Sequence, residues 1–393
     1  MVDTVPPVRL AGAVTPDALI VGGGLAGGAL ATALAEAGRS VVLLERETGP
    51  HDKVCGEFLS REAILYLETL GIDPLALGAC RIHSVRLSGG AGVATVKLPF
   101  PALSLSRRAL DDALLRRAAD AGADVRLGAR VQSLDSDPGG WRARLSAGDP
   151  VSGKAAFLAT GKHDLRGWAR PAGRQPDLIG FKMHLSLSPA QAAQLAGHVE
   201  LTLFRGGYAG LEPVEGGLAN LCLLVRRSRY AALGQQWEAL LEAMRADSAL
   251  LAARLDGARP CWDRPLAISS IPYGYVRRPG LRGIGDGLWR LGDQAAVIPS
   301  FAGDGMSIAL HSARLAARYY LDGASVDAYQ RRMARDVGTA VRCATLLSQL
   351  SVHGLGRAVI GWGASRLPNI MSSVAAMTRV PSGALRRAGL DLI

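Results

Sequence analysis

The stretch Asp17-Ala-Leu-Ile-Val-Gly22-Gly-Gly24-Leu-Ala-Gly27 decides the fold of this chain. Its apolar start predicts a short buried strand, its glycines predict a tight turn, and the Ala- and Leu-rich residues that follow predict a helix that stops at Gly38. A second apolar strand, Ser40-Val-Val-Leu-Leu-Glu45, comes next. Strand, helix and strand within about 30 residues form a βαβ unit. Such a unit requires a parallel sheet whose two faces are covered.

Length and composition limit the class of protein. The chain has 393 residues, of which 49% are hydrophobic, and this is enough apolar material for a large core. No apolar run is long enough to span a bilayer, and the first residues do not have the pattern of a secretory signal. Five scattered cysteines predict reduced thiols in a cytoplasmic protein, and they argue against a disulfide framework or a metal site.

The net charge of +11 is unevenly placed along the chain. Residues 323–393 contain nine Arg and three Asp, so more than half of the excess charge lies in this segment. No zinc finger, RNA-binding strand or basic zipper helix is recognisable, so we expect no nucleic acid partner. The basic C-terminal segment predicts helices, with a loop at Gly354-Leu-Gly-Arg-Ala. We expect this segment to form either a cap on the rest of the chain or a peripheral contact with a membrane. The alternative is that its many arginines reflect compositional bias alone.

The glycines at 22, 24 and 27 stand where a dinucleotide-binding fingerprint must stand. Gly22 makes the tight turn, Gly24 lets a pyrophosphate approach the backbone, and Gly27 lets the helix pack on the sheet. The N–H groups at the positive end of the helix then attract the phosphates. Glu45, at the end of the second strand, is placed to accept hydrogen bonds from ribose hydroxyls. A carboxylate there argues against a 2′-phosphate, so the nucleotide bound at this site is not NADP.

A distant segment selects FAD over NAD. It runs from Gly292-Asp293 through Pro299 to Gly303-Asp-Gly305-Met306, before a helix. The carboxylate of Asp293 is placed to bond the polyol chain of a flavin nucleotide. The helix start after Gly305 can present N–H groups to the carbonyl edge of the isoalloxazine. The two glycine motifs together therefore predict a bound FAD.

These motifs resemble the FAD-dependent monooxygenase and geranylgeranyl-reductase-like superfamily, which has the fold of p-hydroxybenzoate hydroxylase. The segments Lys53-Val-Cys-Gly-Glu-Phe-Leu-Ser60 and Ser106-Arg-Arg-Ala-Leu-Asp111 share in the resemblance. It implies that Arg107 reaches back to the FAD, that Val131 packs near the adenine, and that the loop at Cys55 passes near the flavin. The predicted cofactor-binding residues are Gly22, Gly24, Ala26, Gly27, Glu45, Arg46, Gly56, Arg107, Val131, Asp293, Gly303, Gly305 and Met306.

The resemblance also implies the architecture. We expect an α/β fold in which a Rossmann-like FAD-binding domain is interleaved with an antiparallel β-sheet substrate domain, followed by a helical C-terminal cap. The FAD-binding domain comprises residues 17–175 and 281–322, the substrate domain residues 176–280, and the cap residues 323–393.

Three hypotheses for the activity stay open. The leading one is a single-component monooxygenase, in which NADH or NADPH is the transient electron donor. Through a flavin C4a-hydroperoxide it hydroxylates or epoxidises an aromatic, polyketide-like or isoprenoid small molecule. The substrate is lipophilic or aromatic, and whether it is acidic or carrier-bound stays open. The alternative is a geranylgeranyl-reductase-like enzyme that reduces a C=C bond. The third is a non-catalytic flavin-binding scaffold docked on a membrane or a carrier protein.

The sequence departs from some relatives and assigns no catalytic side chain. The Trp-x-Trp motif of flavin-dependent halogenases is absent, and Tyr208-Ala-Gly-Leu-Glu212-Pro213 stands where prenyl reductases carry an aromatic residue before Phe-Pro. Glu57, His163 and Cys55 are candidates for proton transfer or for lining the flavin. We favour simpler roles for them: hydrogen bonding to backbone or ribose, a surface loop position, and packing. Oligomeric state and substrate identity stay open.

Overall fold

A computed structural model describes residues 15–89, 92–278, 287–366 and 377–390. The strands, numbered in chain order, are β1 Ala18–Val21, β2 Val41–Leu44, β3 Phe58–Leu59, β4 Cys80–Gly89, β5 Gly92–Ser104, β6 Asp124–Arg126, β7 Val131–Asp137, β8 Gly140–Leu145, β9 Val151–Gly153, β10 Ala155–Leu158, β11 Leu178–Ser186, β12 His198–Phe204, β13 Gly207–Val214, β14 Leu218–Arg226, β15 Arg259–Pro260, β16 Leu266–Ser269 and β17 Trp289–Arg290. The helices are α1 Leu25–Glu36, α2 Arg61–Thr69, α3 Arg107–Asp120, α4 Pro189–Leu195, α5 Arg227–Ala232, α6 Trp237–Asp247, α7 Ala249–Arg254, α8 Gly305–Leu321, α9 Val326–Ser351, α10 Gly354–Arg366 and α11 Ser382–Arg387.

The predicted βαβ unit is β1, α1 and β2, and it lies at the centre of a parallel sheet in the order β17–β10–β1–β2–β6. Every residue of β1 and β2 is buried. Ile20 and Leu43 face a core shared with α1, α3 and α8. Leu19 and Val42 face the other way, onto the small antiparallel sheet of β7, β8 and β9. Both faces of the parallel sheet are therefore covered, as the continuous apolar strands predict.

The larger sheet has the order β15–β11–β14–β13–β12–β4–β5–β3, and β16 also pairs with β11. The pairs from β11 to β13 are antiparallel, as expected, but β12 pairs with β4 in parallel. The sheet is therefore mixed, with mostly antiparallel pairs, as expected, and a parallel pair between β4 and β12. Strands β3, β4 and β5 also come from the part of the chain assigned to the FAD-binding domain. The predicted range 17–175 thus contains strands of both sheets.

The helical C-terminal region is present as α9, α10 and α11. Ser325 Oγ accepts a hydrogen bond from Ala328 N (3.2 Å) and caps α9. The loop predicted at Gly354 is wrong, because these residues begin α10. A Cβ on Gly356 would lie 2.2 Å from the carbonyl oxygen of Leu350, so glycine here allows α10 to start directly against the end of α9. No helix in the described ranges is both long enough and apolar enough to cross a bilayer.

Candidate active site

A cavity of about 710 Å³ lies between the glycine turn after β1 and the larger sheet, and its size is typical of ligand sites. Every predicted cofactor-binding residue except Gly27 lines it. Gly27 instead allows α1 to pack closely, since a Cβ there would lie 1.8 Å from the carbonyl oxygen of Gly22. The structure therefore gathers residues from both glycine motifs, far apart in sequence, around one space.

The glycine turn is shaped for a close-lying ligand. Gly22 has a φ of +106°, and a Cβ there would lie 2.5 Å from the carbonyl oxygen of Ala159, so the turn requires glycine at this position. Gly24 precedes the first turn of α1 with extended backbone, and no side-chain cap for that turn is found among the described residues. The N–H groups of this first turn are thus available to an anion.

Two cations stand beside this helix start. Lys53 Nζ lies 2.8 Å from Asp111 Oδ2, and Arg107 bonds both oxygens of the same carboxylate at 3.0 Å and 2.8 Å. Burial would raise the pKa of Asp111, yet the charges of Arg107 and Lys53 hold it below its ordinary value. Two cations that share one carboxylate leave a positive excess next to the positive end of α1. The site therefore suits a diphosphate and fits FAD.

Glu45 lines the same cavity at the end of β2, where the sequence predicts the ribose. Its side chain is buried and accepts hydrogen bonds from the N–H groups of Gly23 (2.6 Å) and Glu47 (3.0 Å). These bonds fix the carboxylate at the end of β2, and each oxygen keeps a second lone pair for a further donor. Val131 also lines the cavity. The family resemblance implies that the adenine packs near this residue.

The opposite end of the cavity combines the second glycine motif with the Cys55 loop. Asp293, Gly305 and Met306 line this end together with Cys55. Gly303 has a φ of +68°, and a Cβ there would lie 3.0 Å from the ring of Phe58, so the turn before α8 packs directly on the end of the loop. This end has the parts that the sequence assigns to the flavin ring.

Glu57 holds the Cys55 loop against the larger sheet. It has a φ of +61°, which is unusual for a residue other than glycine, and its side chain is fully buried. Its carboxylate accepts hydrogen bonds from the N–H of Arg107 (2.8 Å), from His184 Nε2 (2.8 Å) and from the ammonium group of Lys182. Burial alone would raise the pKa of Glu57, but the hydrogen bond from His184 and the charge of Lys182 outweigh it and hold the pKa below its ordinary value.

The partners of Glu57 belong to a polar patch on the larger sheet that the sequence analysis missed. Lys182 pairs across the sheet with Cys222, and His184 pairs with Asn220, which pairs in turn with Glu212. Lys182 and His184 lie two positions apart in a strand that is otherwise mostly apolar. That spacing places two polar side chains on one buried face, and it is the sequence signal that could have revealed the patch.

Glu212 is a buried acid without a complete set of partners. Its Oε2 atom has no hydrogen-bond partner among the described residues. Burial is the main cause that raises the pKa of Glu212 well above its ordinary value of 4.5, and the nearby Glu57 carboxylate raises it further. The folded protein therefore holds the proton of Glu212 to a higher pH than the unfolded chain does.

Glutamine in place of Glu212 is expected to stabilise the protein near pH 8 and to leave its stability near pH 4 unchanged. Above about pH 4.5 the unfolded chain ionises Glu212 while the folded chain keeps the proton, so the wild type loses stability as the pH rises and the variant does not. Urea unfolding at the two pH values measures this difference. The exposed Glu242→Gln is the control and should show no such gain. A Glu212→Gln protein less stable than the wild type near pH 8 contradicts a protonated Glu212.

The remaining candidates of the sequence analysis lie at the same cavity. His163 lines it. Burial, and to a smaller extent the charge of Arg46, lowers the pKa of its imidazole below 6.5.

Asp52, Glu57 and His184 have a spacing that a metal ion could use. The Lys182 ammonium, however, bonds Glu57 and lies 3.4 Å from Asp52, so it already supplies the positive charge there. We assign no metal to this group.

Comparisons with known proteins agree with this geometry. Residues 15–157 match a family described as an FAD binding domain. The chain is 28% identical over 360 residues to a menaquinone reductase of Mycolicibacterium smegmatis, which covers 84% of each chain. It is also 28% identical over 354 residues to digeranylgeranylglycerophospholipid reductase 2 of Methanopyrus kandleri, covering 85% of this chain and 86% of that one. A solved flavoprotein/dehydrogenase from Cytophaga hutchinsonii superposes with a TM-score of 0.75 at 16% identity, covering 93% of this chain and 92% of that one.

These matches bear on two predictions. The FAD binding domain confirms the predicted cofactor. The structural match over nearly the whole chain confirms the predicted fold class. The individual roles assigned to the cofactor-binding residues stay predictions.

Proposed function

We propose that this chain, an FAD-dependent oxidoreductase that resembles the monooxygenase and geranylgeranyl-reductase-like superfamily, reduces carbon–carbon double bonds in the isoprenoid chain of a lipid. The observation that carries the proposal is the match over most of the chain to two proteins named as reductases, one of menaquinone and one of digeranylgeranylglycerophospholipid. Both named compounds carry isoprenoid chains. The reductase, which was the alternative in the sequence analysis, therefore replaces the monooxygenase as the leading hypothesis.

The wall of the cavity supports a lipophilic substrate. Leu224, Leu266 and Ile268 line it from the larger sheet, and the buried Tyr273 lines it nearby. An aliphatic chain placed against this wall leaves water, which is favourable in proportion to the apolar area covered. Cys55 lines the same cavity, at the end that suits the flavin.

The reaction needs one hydride and one proton for each double bond. FAD, when bound and reduced by NADH or NADPH as the proposed donor, supplies the hydride to one alkene carbon. We assign the proton for the other carbon to the Cys55 thiol, whose S–H bond breaks as the new C–H bond forms. The N–H of Glu57 lies 3.4 Å from Cys55 Sγ, and Asn220 Nδ2 donates to the Cys55 carbonyl oxygen (3.1 Å), so the thiol is held in place. Arg107 interacts with the Cys55 side chain, and solvent returns the proton to the sulfur after the transfer.

Serine in place of Cys55 is expected to slow alkene reduction by about 100-fold, the lower range for loss of a positioned proton donor. FAD content and the rate of flavin reduction by NADH or NADPH should not change, because Arg107 keeps its two bonds to Asp111 and a serine hydroxyl can replace the thiol contact. The measurement is the anaerobic rate at which the lipid substrate reoxidises the reduced flavin. Cys343→Ser, a substitution on the distant α9, is the control. Equal rates for Cys55→Ser and the wild type contradict the assignment.

The function itself is tested with menaquinone and a geranylgeranylated glycerophospholipid under anaerobic conditions. The expected product, detected by mass spectrometry, has gained two hydrogens for each reduced double bond. A product that forms only in air and contains oxygen from labelled O₂ would establish the monooxygenase instead. Full FAD content without turnover of any of these compounds would favour the scaffold.

A further inference from the structure

The C-terminal helices expose an apolar surface, which we name the α9–α10 face and define as Leu346, Leu350, Leu355, Val359 and Trp362. The exposed fractions of the last three, all on α10, are 87%, 66% and 56%. Their spacing of four and three residues places them on one side of the helix. Gly356 and Ile360, on the opposite side, are buried.

The α9 and α10 parts of this face meet at the junction of the two helices. Leu346 and Leu350 are 58% and 39% exposed and are separated by one helical turn. The backbone at Gly356 lies directly against the Leu350 carbonyl group, so Leu350 and Leu355 are near neighbours. Leu75 and Leu127 are also exposed, but they lie on separate connecting segments, after α2 and after β6. Scattered residues of that kind need no explanation, whereas a grouped set indicates a binding surface.

The segment of chain that forms this face is rich in arginine. Between Asp336 and Asp391 the sequence contains no acidic residue, while it contains Arg342, Arg357, Arg366, Arg379, Arg386 and Arg387. Arg342 on α9 and Arg366 at the end of α10 are both exposed. Asp247 of α6 lies near the other side of α10, where it lines a cavity with Arg357 and Gly361. An apolar helix face with exposed arginines at both ends is complementary to a bilayer surface that contains anionic lipids.

The face lies close to the cavity of the candidate active site. On the inner side of the same helices, Val352 and Ile360 belong to one apolar cluster with Leu224 and Tyr273. Leu224 and Tyr273 line the 710 Å³ cavity. One continuous apolar cluster therefore joins the inner side of α10 to the wall of the space where the substrate is proposed to bind.

We infer that the α9–α10 face docks this protein on an anionic lipid bilayer. Leu355, Val359 and Trp362 enter the boundary between headgroups and acyl chains, and the flanking arginines contact the anionic headgroups. The inference depends on the exposed apolar side chains and the charge around them. Docking does not depend on which reaction the flavin carries out, so it can be tested without enzyme turnover.

The test is co-sedimentation of the full-length holoprotein with vesicles of phosphatidylcholine, with and without phosphatidylglycerol. The wild type is expected to bind the anionic vesicles, and to lose most of that binding when the salt concentration rises from about 0.1 M to about 1 M. The double variant Leu355→Ser/Val359→Ser is expected to partition at least 10-fold more weakly, because it removes apolar area from the inserted side. Arg342→Gln/Arg366→Gln is expected to weaken binding about 5-fold for each arginine removed.

Matched controls separate docking from a general loss of surface hydrophobicity or charge. Leu75→Ser/Leu127→Ser removes exposed apolar side chains elsewhere, and Arg116→Gln/Arg144→Gln removes two highly exposed arginines elsewhere. Both controls should bind as the wild type does, and all variants should keep their flavin absorbance, which reports folding. The inference is overturned if the wild type stays in the supernatant with anionic vesicles, or if the controls weaken binding as much as the α9–α10 variants. It is also overturned if Leu355→Ser/Val359→Ser converts a dimer to a monomer without changing vesicle binding, because a second copy of the chain then covers this face.

Discussion

Valine in place of Gly24 is expected to abolish FAD binding and to leave the protein folded. The backbone at Gly24 has φ −77° and ψ −168°, a conformation open to any residue. The atoms nearest to a Cβ there are the side-chain ends of Arg107 (3.3 Å), Lys53 (3.6 Å) and Asp111 (4.0 Å), and no backbone atom is among them. A branched side chain at this point fills the space between these two cations and the start of α1, where the diphosphate is expected. The apoprotein therefore tolerates the change and the cofactor does not.

The ratio of flavin to protein absorbance after purification measures the loss, and circular dichroism checks the fold. Gly49→Val is the matched control, because nothing lies within 4 Å of a Cβ at that position and Gly49 does not line the cavity. The control should keep a full flavin complement. A Gly24→Val protein that also does so would show that the diphosphate does not lie against this turn.

Methionine in place of Lys182 is expected to lower the free energy of unfolding by about 3–5 kcal/mol, the usual cost of removing one partner of a buried ion pair. The side chains of Lys182 and Glu57 are both fully buried, so the remaining carboxylate cannot recover its hydration. Lys154→Met is the matched control, since it breaks a 2.9 Å ion pair with Asp17 in which the lysine side chain is 58% exposed. It should cost about 1 kcal/mol or less.

The pH dependence of stability identifies Glu57 as the group left unpaired. In the wild type the pKa of Glu57 is held below 4.5, so its ionised form adds stability above that pH, and this stability is lost as the pH falls. In Lys182→Met the pKa of Glu57 rises, and this loss on acidification becomes smaller. Urea unfolding near pH 7 and near pH 4 measures both effects. The double variant Lys182→Met/Glu57→Gln should recover part of the lost stability; if it is no more stable than Lys182→Met, the cost has another cause.

The nucleotide-binding half of the fold could be predicted because its determinants are local. The strand, the glycine turn, the helix and the carboxylate of Glu45 follow one another within a single βαβ unit. Chain periodicity and glycine conformation therefore specify them without knowledge of distant partners. The turn at Gly303 was predictable for the same reason, since its glycines precede an amphipathic helix.

The strands β4 and β5 and the polar patch depend on partners that are distant in sequence. Strand β4 pairs in parallel with β12, and no short-range pattern specifies such a pairing. Glu57 meets Lys182 and His184 only because the Cys55 loop crosses the larger sheet, so its role could not be read from the neighbouring residues. The helix at Gly354 was mistaken for a loop because glycine disfavours helices, while the close contact with Leu350 requires it there.

The order in which strands join the parallel sheet has a consequence for biogenesis. A nascent polypeptide leaves the ribosome from its N-terminus, so β1, α1 and β2 emerge early, with the cradle for the diphosphate. Strand β17, which pairs with β10, and α8, which carries Met306, emerge only after the whole larger sheet has been synthesised. Contacts between such distant segments form late, because long loops must close first. The flavin end of the cavity therefore cannot form until α8 has been synthesised, so enclosure of the ring follows formation of the first βαβ unit.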